Sequence, residues 1–372
     1  MRILGIVSYK YLPARTGGEI CIADFHAYLT RYCEHTVASV EANRPESPLP
    51  YKLWPAFSNS PFRYMDPRNI STLAAAIRQQ GVQILHIEHP YTGWLAVLLK
   101  ARTRCKLVVH SRNIEADRFR SLGKWWWPLL RAYEGWVHRQ AHHSFFISQE
   151  DADRAIALYR LAPQKVSVAT FGVTPPATPP DRDLLRPQIC AAHGIPENSI
   201  IYCFNGAMGY LPNQRAVRVI LTEIYPLLQA HPDHPYVIMI SGKGLPEELV
   251  QQITATNGKV IYTGFVPSIA EYLVAADVFI NPVIEGGGIK TKVVEALSYN
   301  KTIVSTASGA MGVNTAVCGD KLRIAPDKDW HQFVRLMKQH ENITDPTPPA
   351  FFDYYSNDNI ARGAAATMQT LI

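Results

Sequence analysis

Short runs of β-branched and apolar residues alternate along this chain with longer segments of helical period, and that alternation restricts it to parallel sheets joined by helical crossovers. In the first half, "RILGIVS", "HTVASV", "ILHIEH", "KLVVHS", "HSFFIS" and "KVSVAT" read as strands. Between them lie helix-period segments such as "EICIADFHAYLTRYC", "NISTLAAAIRQQG", "GWLAVLLKA" and "WWWPLLRAYEGWVHRQAH". The pattern stops at "GVTPPATPPDRDLLRP", where five prolines disfavour both helix and ladder. It resumes with "SIIYCFNGA", "YVIMISG", "KVIYTGF", "DVFINPV", "TIVSTA" and "KLRIA", separated by helices such as "QRAVRVILTEIYPLLQAH" and "PSIAEYLVAA". At 372 residues the chain exceeds the length at which one core usually keeps growing. The expectation is an α/β protein of two doubly wound, Rossmann-like domains, 1–175 and 176–350, facing each other across a cleft, with 351–372 as a closing helix that packs back on the N-terminal domain. Open parallel sheets bind ligands at the carboxyl ends of their strands, so that cleft is the expected site.

A net charge of +6, spread over 37 basic and 31 acidic residues, suits an anionic substrate better than dedicated nucleic-acid binding. None of the six cysteines stands in a C-x-x-C pair, and several lie in apolar runs, as in a reduced, cytoplasmic protein. "MRILGIVSYKYLP" is too short in its apolar run for a signal segment and reads as the first strand. No stretch approaches the ~18 uninterrupted apolar residues of a membrane-spanning helix, so membrane contact is expected to be peripheral, at the inner face.

The chemistry concentrates in "PVIEGGGIKTKVVEAL". Gly286, Gly287 and Gly288 allow backbone N–H groups to approach an anion, and the following helix adds its positive end. Lys290 and Lys292 add charge that suits a diphosphate, and Glu295, flanked by apolar neighbours inside the helix, suits the hydroxyls of a ribose. In "ILHIEHP", His86 and Glu88 share a strand face but His89 falls on the other, which argues against a metal and for a strand end facing an acceptor. In "RFRSLGKWWWPLLRAYEGWVHRQ", Trp125, Trp126, Trp127 and Trp136 alternate with basic residues. Two readings stand there: packing in the core or against an acceptor groove, and docking on an anionic bilayer.

"INPVIEGGGIKTKVVEALSYNKTIVSTASGAMGV" resembles the donor-binding segment of retaining, nucleotide-sugar-dependent glycosyltransferases of the GT-B fold, family 4 (glycosyl transferases group 1), in a subgroup with a glycine-rich donor loop. "FNGAMGYLPNQRAV", "VIYTGFVPSIAEYLVAADVFINP", "PARTGGEICIADFHAYLTR", "VVHSRNIEADRFR" and "RQAHHSFFISQEDAD" are similar to further family segments, so the likeness spans nearly the whole chain. It implies that Gly17 and Gly18 line the cleft near the donor phosphate, that His110 approaches the transferred sugar, and that Glu295 holds the ribose. It also implies that the backbone around Val266 meets the base. Arg215, Lys290 and Lys292 are the candidates for neutralising the diphosphate. Most members carry two glutamates seven residues apart, and Gly287 occupies the first position here. Either Glu285 substitutes, or backbone amides and Lys290 do that work; the second is preferred.

The implied reaction moves a sugar from a UDP- or GDP-sugar to a glycan or lipid-linked acceptor with retention. Charge grows on the leaving phosphate, which lysines, an arginine and a helix end can stabilise without metal or cofactor. The D-x-D of "QEDADRA" falls in an acidic surface helix and is not assigned a metal. A sugar-nucleotide epimerase of the same fold and a degenerate, non-catalytic transferase are the alternatives. A nicotinamide enzyme is excluded by the missing G-x-G-x-x-G after the first strand.

Overall fold

Buried β-branched strands need helices on both faces, and each half of the chain answers that need with one wholly parallel sheet. The computed structural model describes residues 1–175, 180–230, 234–339 and 345–372. They divide into Met1–Gly172 with Tyr355–Ile372, and Val173–Tyr354. Part of the proline-rich stretch, 176–179, lies outside the described residues.

The first unit holds β1 (Arg2–Val7), β2 (Glu34–Val40), β3 (Lys52–Phe57), β4 (Ile84–Glu88), β5 (Lys106–Ser111), β6 (His143–Phe146) and β7 (Val166–Val168), in the order β3-β2-β1-β4-β5-β6-β7. β3 is absent from the sequence reading. Pro55 interrupts its pattern, and the sheet tolerates that residue because β3 is an edge strand whose register against β2 shifts there. Helix α1 (Gly17–Leu29) starts at a reciprocal cap between Thr16 and Glu19 and buries Ile22, Phe25 and Leu29. Full burial of side chains like Phe25 and Leu29 contributes about 1.5–3 kcal/mol each. Helix α2 (Trp127–Gln140) buries Val137 against the β4–β5 side of the core.

The second unit holds β8 (Ile200–Asn205), β9 (Tyr236–Ser241), β10 (Val260–Gly264), β11 (Val278–Asn281), β12 (Thr302–Thr306) and β13 (Leu322–Ala325), in the order β10-β9-β8-β11-β12-β13. Helix α3 (Arg182–His193) contains Pro187, although the sequence suggests that helix fails there. Asp181 caps its start, and Arg182 and Arg186 both pair with Asp277, so tertiary anchoring outweighs the lost backbone bond. Helix α4 (Leu211–Val219) runs into a π turn at Ile220–Ile224, just before Pro226, which has no N–H to give a regular helix. Helix α5 (Thr291–Ser298) follows β11.

Helix α6 (Asn357–Gln369) belongs to the first unit. Its Ala364, Ala365 and Met368 share one apolar cluster with Phe25, Leu29, Ile3, Val108 and Phe145. Tyr32 donates to Asp358 at 2.8 Å, and Asn357 to Asp24 at 3.2 Å, which fixes α6 along α1.

Candidate functional site

In the second sheet the strand order reverses between β8 and β11, neighbours in space although β9 and β10 intervene in sequence. The loops leaving such a pair diverge and open a crevice at their carboxyl ends. The loop after β11 is the glycine-rich one. Gly286 and Gly288 have φ of 91° and 72°, a region that a Cβ makes costly. A Cβ on Gly287 would meet nothing within 4 Å, so the position where the family's first glutamate is expected has room for one.

Lys290 folds back on this loop. Its ammonium donates to the carbonyls of Gly286 at 2.6 Å and Gly288 at 3.2 Å and so braces the turn from within. Lys292 reaches the other way. Its ammonium donates to Asn213 Oδ1 at 2.8 Å and sits 4.3 Å from the centre of the Phe204 ring, which ties α5 to α4 and to the end of β8. Asn213 in turn donates to the Ala207 carbonyl at 2.9 Å. Gly206 makes the arrangement possible, since a Cβ there would stand 2.7 Å from Asn213 Nδ2 and 3.0 Å from Lys292 Nζ. Sequence reasoning missed Gly206 and Asn213, although both lie in the quoted "FNGAMGYLPNQRAV".

Burial, with Lys290 beside it, pulls Lys292 down to about 7. Burial alone pushes the Glu295 carboxyl up. Arg215 pairs with Glu285, both about half exposed, so the two side chains neutralise each other at the loop's rim. Val266 follows β10 and is half-buried, while Phe265 before it is 72% exposed, an aromatic face that no sequence signal singled out. Thus Gly286, Gly287, Gly288, Lys290, Lys292 and Glu295 lie on one loop and helix, with Arg215 held at the loop through Glu285.

Gly17 and Gly18 lie in the first unit, in the opening turn of α1, and Gly18 faces open space. His110, expected beside the transferred sugar, is wholly enclosed. Its Nε2 lies 3.0 Å from the Ala169 carbonyl and its Nδ1 3.5 Å from Glu88 Oε1. His86 and Glu88 lie on that same inner face, whereas His89 stacks on Tyr91 and points its Nδ1 at Glu115, 3.6 Å away. The four tryptophans divide. Trp126 packs on Phe119, Trp127 lies under Arg120 and Trp136 lies against Tyr133 with its outer edge exposed, but Trp125 is 83% exposed, with exposed Leu122 and Leu129 close in sequence, so core packing does not hold for Trp125.

Two family models match the chain, one in each half. Residues 15–175 match "Glycosyltransferase Family 4" and residues 200–340 match "Glycosyl transferases group 1". Among solved structures, a glycosyltransferase from Rickettsia africae superposes with a TM-score of 0.75 at 15% identity, covering 100% of this chain and 98% of that one. Anabaena HepE in complex with UDP superposes at 0.73 and 16% identity, covering 100% of both chains. The lipopolysaccharide outer core galactosyltransferase WaaB, in its apo form, reaches 0.69 at 12% identity, again over 100% of both. These likenesses show that the two sheets form the GT-B fold. An uncharacterised 44.6 kDa protein in the cps region of Klebsiella pneumoniae is 33% identical over 113 residues, 29% of this chain and 29% of that relative.

Proposed function

We propose, from the match of each half to a glycosyltransferase family model, that this chain moves a sugar from a UDP- or GDP-sugar to a glycan or lipid-linked acceptor, with retention and without a metal at the donor. The observation that carries the reading is the bridge from Lys292 to Asn213 beside the glycine loop. It sets a cation and a bare backbone at the carboxyl ends of β8 and β11, where a diphosphate needs both. Relatives solved with UDP support the donor class.

In this reading the loop amides and Lys292 take up the charge that grows on the leaving phosphate oxygen. Lys290 shapes the loop and adds to the field, and Arg215 joins when a phosphate competes with Glu285 for it. Glu295 accepts from the ribose hydroxyls, and the base lies against the backbone at Val266, beside the exposed ring of Phe265. His110 acts from beneath the surface, as a group that positions the strand ends rather than one that touches the sugar. The acceptor hydroxyl passes its proton to the departing phosphate on the same face of the sugar, so no side-chain nucleophile is required.

The test is a thermal-shift panel with UDP, GDP, ADP and their sugar conjugates, with and without chelator. A rise in melting temperature with one nucleotide that survives chelation supports a metal-independent donor site, because ligand binding stabilises by mass action. No shift with any of them overturns the donor site and favours the degenerate alternative. Turnover of the bound conjugate then separates a transferase from an epimerase.

A second expected result concerns protons. With its pKa near 7, Lys292 is largely neutral in the empty protein at pH 8, and a diphosphate beside it favours the charged form. Nucleotide binding should therefore take up a proton at pH 8 and weaken as pH rises above about 7. Calorimetry in buffers of different ionisation enthalpy reads this directly. Equal heats in all buffers would place the diphosphate elsewhere.

Docking on an anionic bilayer is the proposed role of Trp125 and Leu129. No described helix is long and apolar enough to cross a membrane. Trp125→Ser with Leu129→Ser should reduce co-sedimentation with phosphatidylglycerol vesicles several-fold and leave nucleotide binding intact, since both side chains are exposed. Undiminished co-sedimentation would remove the patch from any docking role.

A further inference from the structure

One cluster in the first unit is built with more care than a core requires. β4 points His86 and Glu88 to the same face, and the strand register places His110 of β5 beside Glu88. On the other side Gly5 of β1 lies beside His86, and its missing side chain leaves room for His26 of α1. A Cβ on Gly5 would stand 3.1 Å from the His26 ring and 3.2 Å from the His35 ring. The result is three imidazoles around one carboxylate oxygen, all 0% exposed.

Their spacing is wrong for hydrogen bonds. Glu88 Oε1 lies 3.5 Å from His26 Nε2, 3.9 Å from His86 Nε2 and 3.5 Å from His110 Nδ1, beyond the ordinary range of about 2.7–3.2 Å. None of these four atoms has a hydrogen-bond partner, and neither does the second nitrogen of His86. Buried polar atoms are seldom left so. For His110 the conflict is sharper. Its Nε2 faces the Ala169 carbonyl, which only accepts, so Nε2 carries a hydrogen and Nδ1 is the nitrogen turned toward the carboxylate. Something positive belongs between them.

The remaining contacts form the outer layer that a metal centre uses to aim its ligands. Arg112 donates to Glu88 Oε2 at 2.9 and 3.1 Å, which fixes the carboxylate and leaves Oε1 turned to the histidines. His26 Nδ1 lies 2.7 Å from His35 Nε2, so Nε2 is the nitrogen left for the centre.

The geometry points to a buried divalent-metal site, with one nitrogen each of His26 and His86 and Glu88 Oε1 as ligands to a zinc-like ion, and with His110 Nδ1 beside the carboxylate, 3.5 Å from Oε1. Two ligands that each lie about 2.1 Å from a tetrahedral zinc ion stand roughly 3.4 Å apart, close to the observed spacings. His26, His86 and Glu88 already offer ligand atoms within 4.8 Å of one another. Two imidazoles and a carboxylate suit zinc or cobalt rather than calcium or magnesium. Wholly enclosed, the centre is structural. It clamps α1, which opens with Gly17 and Gly18, to β4, and it is separate from the metal-free donor chemistry proposed for the second unit.

The test uses the full chain, tag-free and expressed with zinc in the medium, because groups this enclosed take up an ion during folding. Metal content by plasma mass spectrometry should be about one zinc per chain, retained through dialysis against a mild chelator. X-ray absorption at the zinc edge should give nitrogen and oxygen neighbours at about 2.0–2.1 Å, with imidazole scattering and no sulfur. His86→Gln should lower the content at least tenfold, and Lys292→Met should not change it. Folded chain that holds no zinc would overturn the site and leave a proton as the occupant. Zinc with sulfur neighbours, or content unchanged in a folded His86→Gln, would assign the ion to other residues. Should His86→Gln fail to fold, the content and the absorption spectrum of the parent protein still decide.

Discussion

Lys292→Met is expected to lower sugar transfer by about 10²–10³-fold, the usual loss when one preorganised donor to a developing oxyanion is removed. The loss should fall on donor affinity as well as on kcat, because the diphosphate is already charged in the donor and gains further charge as the sugar leaves. Melting temperature should stay within a few degrees. The fold depresses the pKa of this lysine, so its charged form is favoured less in the folded than in the unfolded chain, and that penalty increases as pH falls from the unfolded value toward about 7. Methionine keeps the stem and removes the penalty, at the cost of the donor to Asn213. Steady-state rates with the donor chosen by the thermal-shift panel, beside a melting curve, read both. Near-normal turnover would mean that the lysine is a brace between two helices and no more.

Glu295→Ala should weaken donor binding about 10- to 100-fold, corresponding to about 1.5–3 kcal/mol for hydrogen bonds to a charged group. The fold should hold. Burial raises this carboxyl's pKa, so at neutral pH its ionised form is a cost that alanine removes, and no fully buried volume is lost. Calorimetry with the bare nucleoside diphosphate isolates the ribose contact from the sugar. Unchanged affinity would move the ribose away from α5.

The parts of this molecule that could be read in advance are those whose determinants are contiguous. Twelve strands of the two sheets show as apolar runs, and the glycine loop shows because its glycines, lysines and glutamate occupy one short segment. β3 escaped because an edge strand is allowed a proline that a central strand is not. The Asn213 contact escaped because its partner lies 79 residues away, brought near only by strand order. The spacing of His86 and Glu88 was read correctly as one strand face, and a metal was set aside because His89 points elsewhere. The missing ligand, His26, comes from α1, which no local spacing encodes. Exposure of Trp125 was likewise undecided, since aromatic and basic alternation looks the same on a buried face and on a free one.

The return of α6 to the first unit has a consequence for the order in which the protein is made. The second unit is an insertion between Gly172 and Tyr355, so the first cannot close until the ribosome has passed through all of it. At roughly 5–20 residues per second that interval lasts on the order of ten to forty seconds. Throughout it Phe25 and Leu29 lack their cover from Ala364, Ala365 and Met368, and α1 lies on the nascent sheet with one flank wet. That flank is where a chaperone would find this chain, and where crowded, rapid overexpression would lose it.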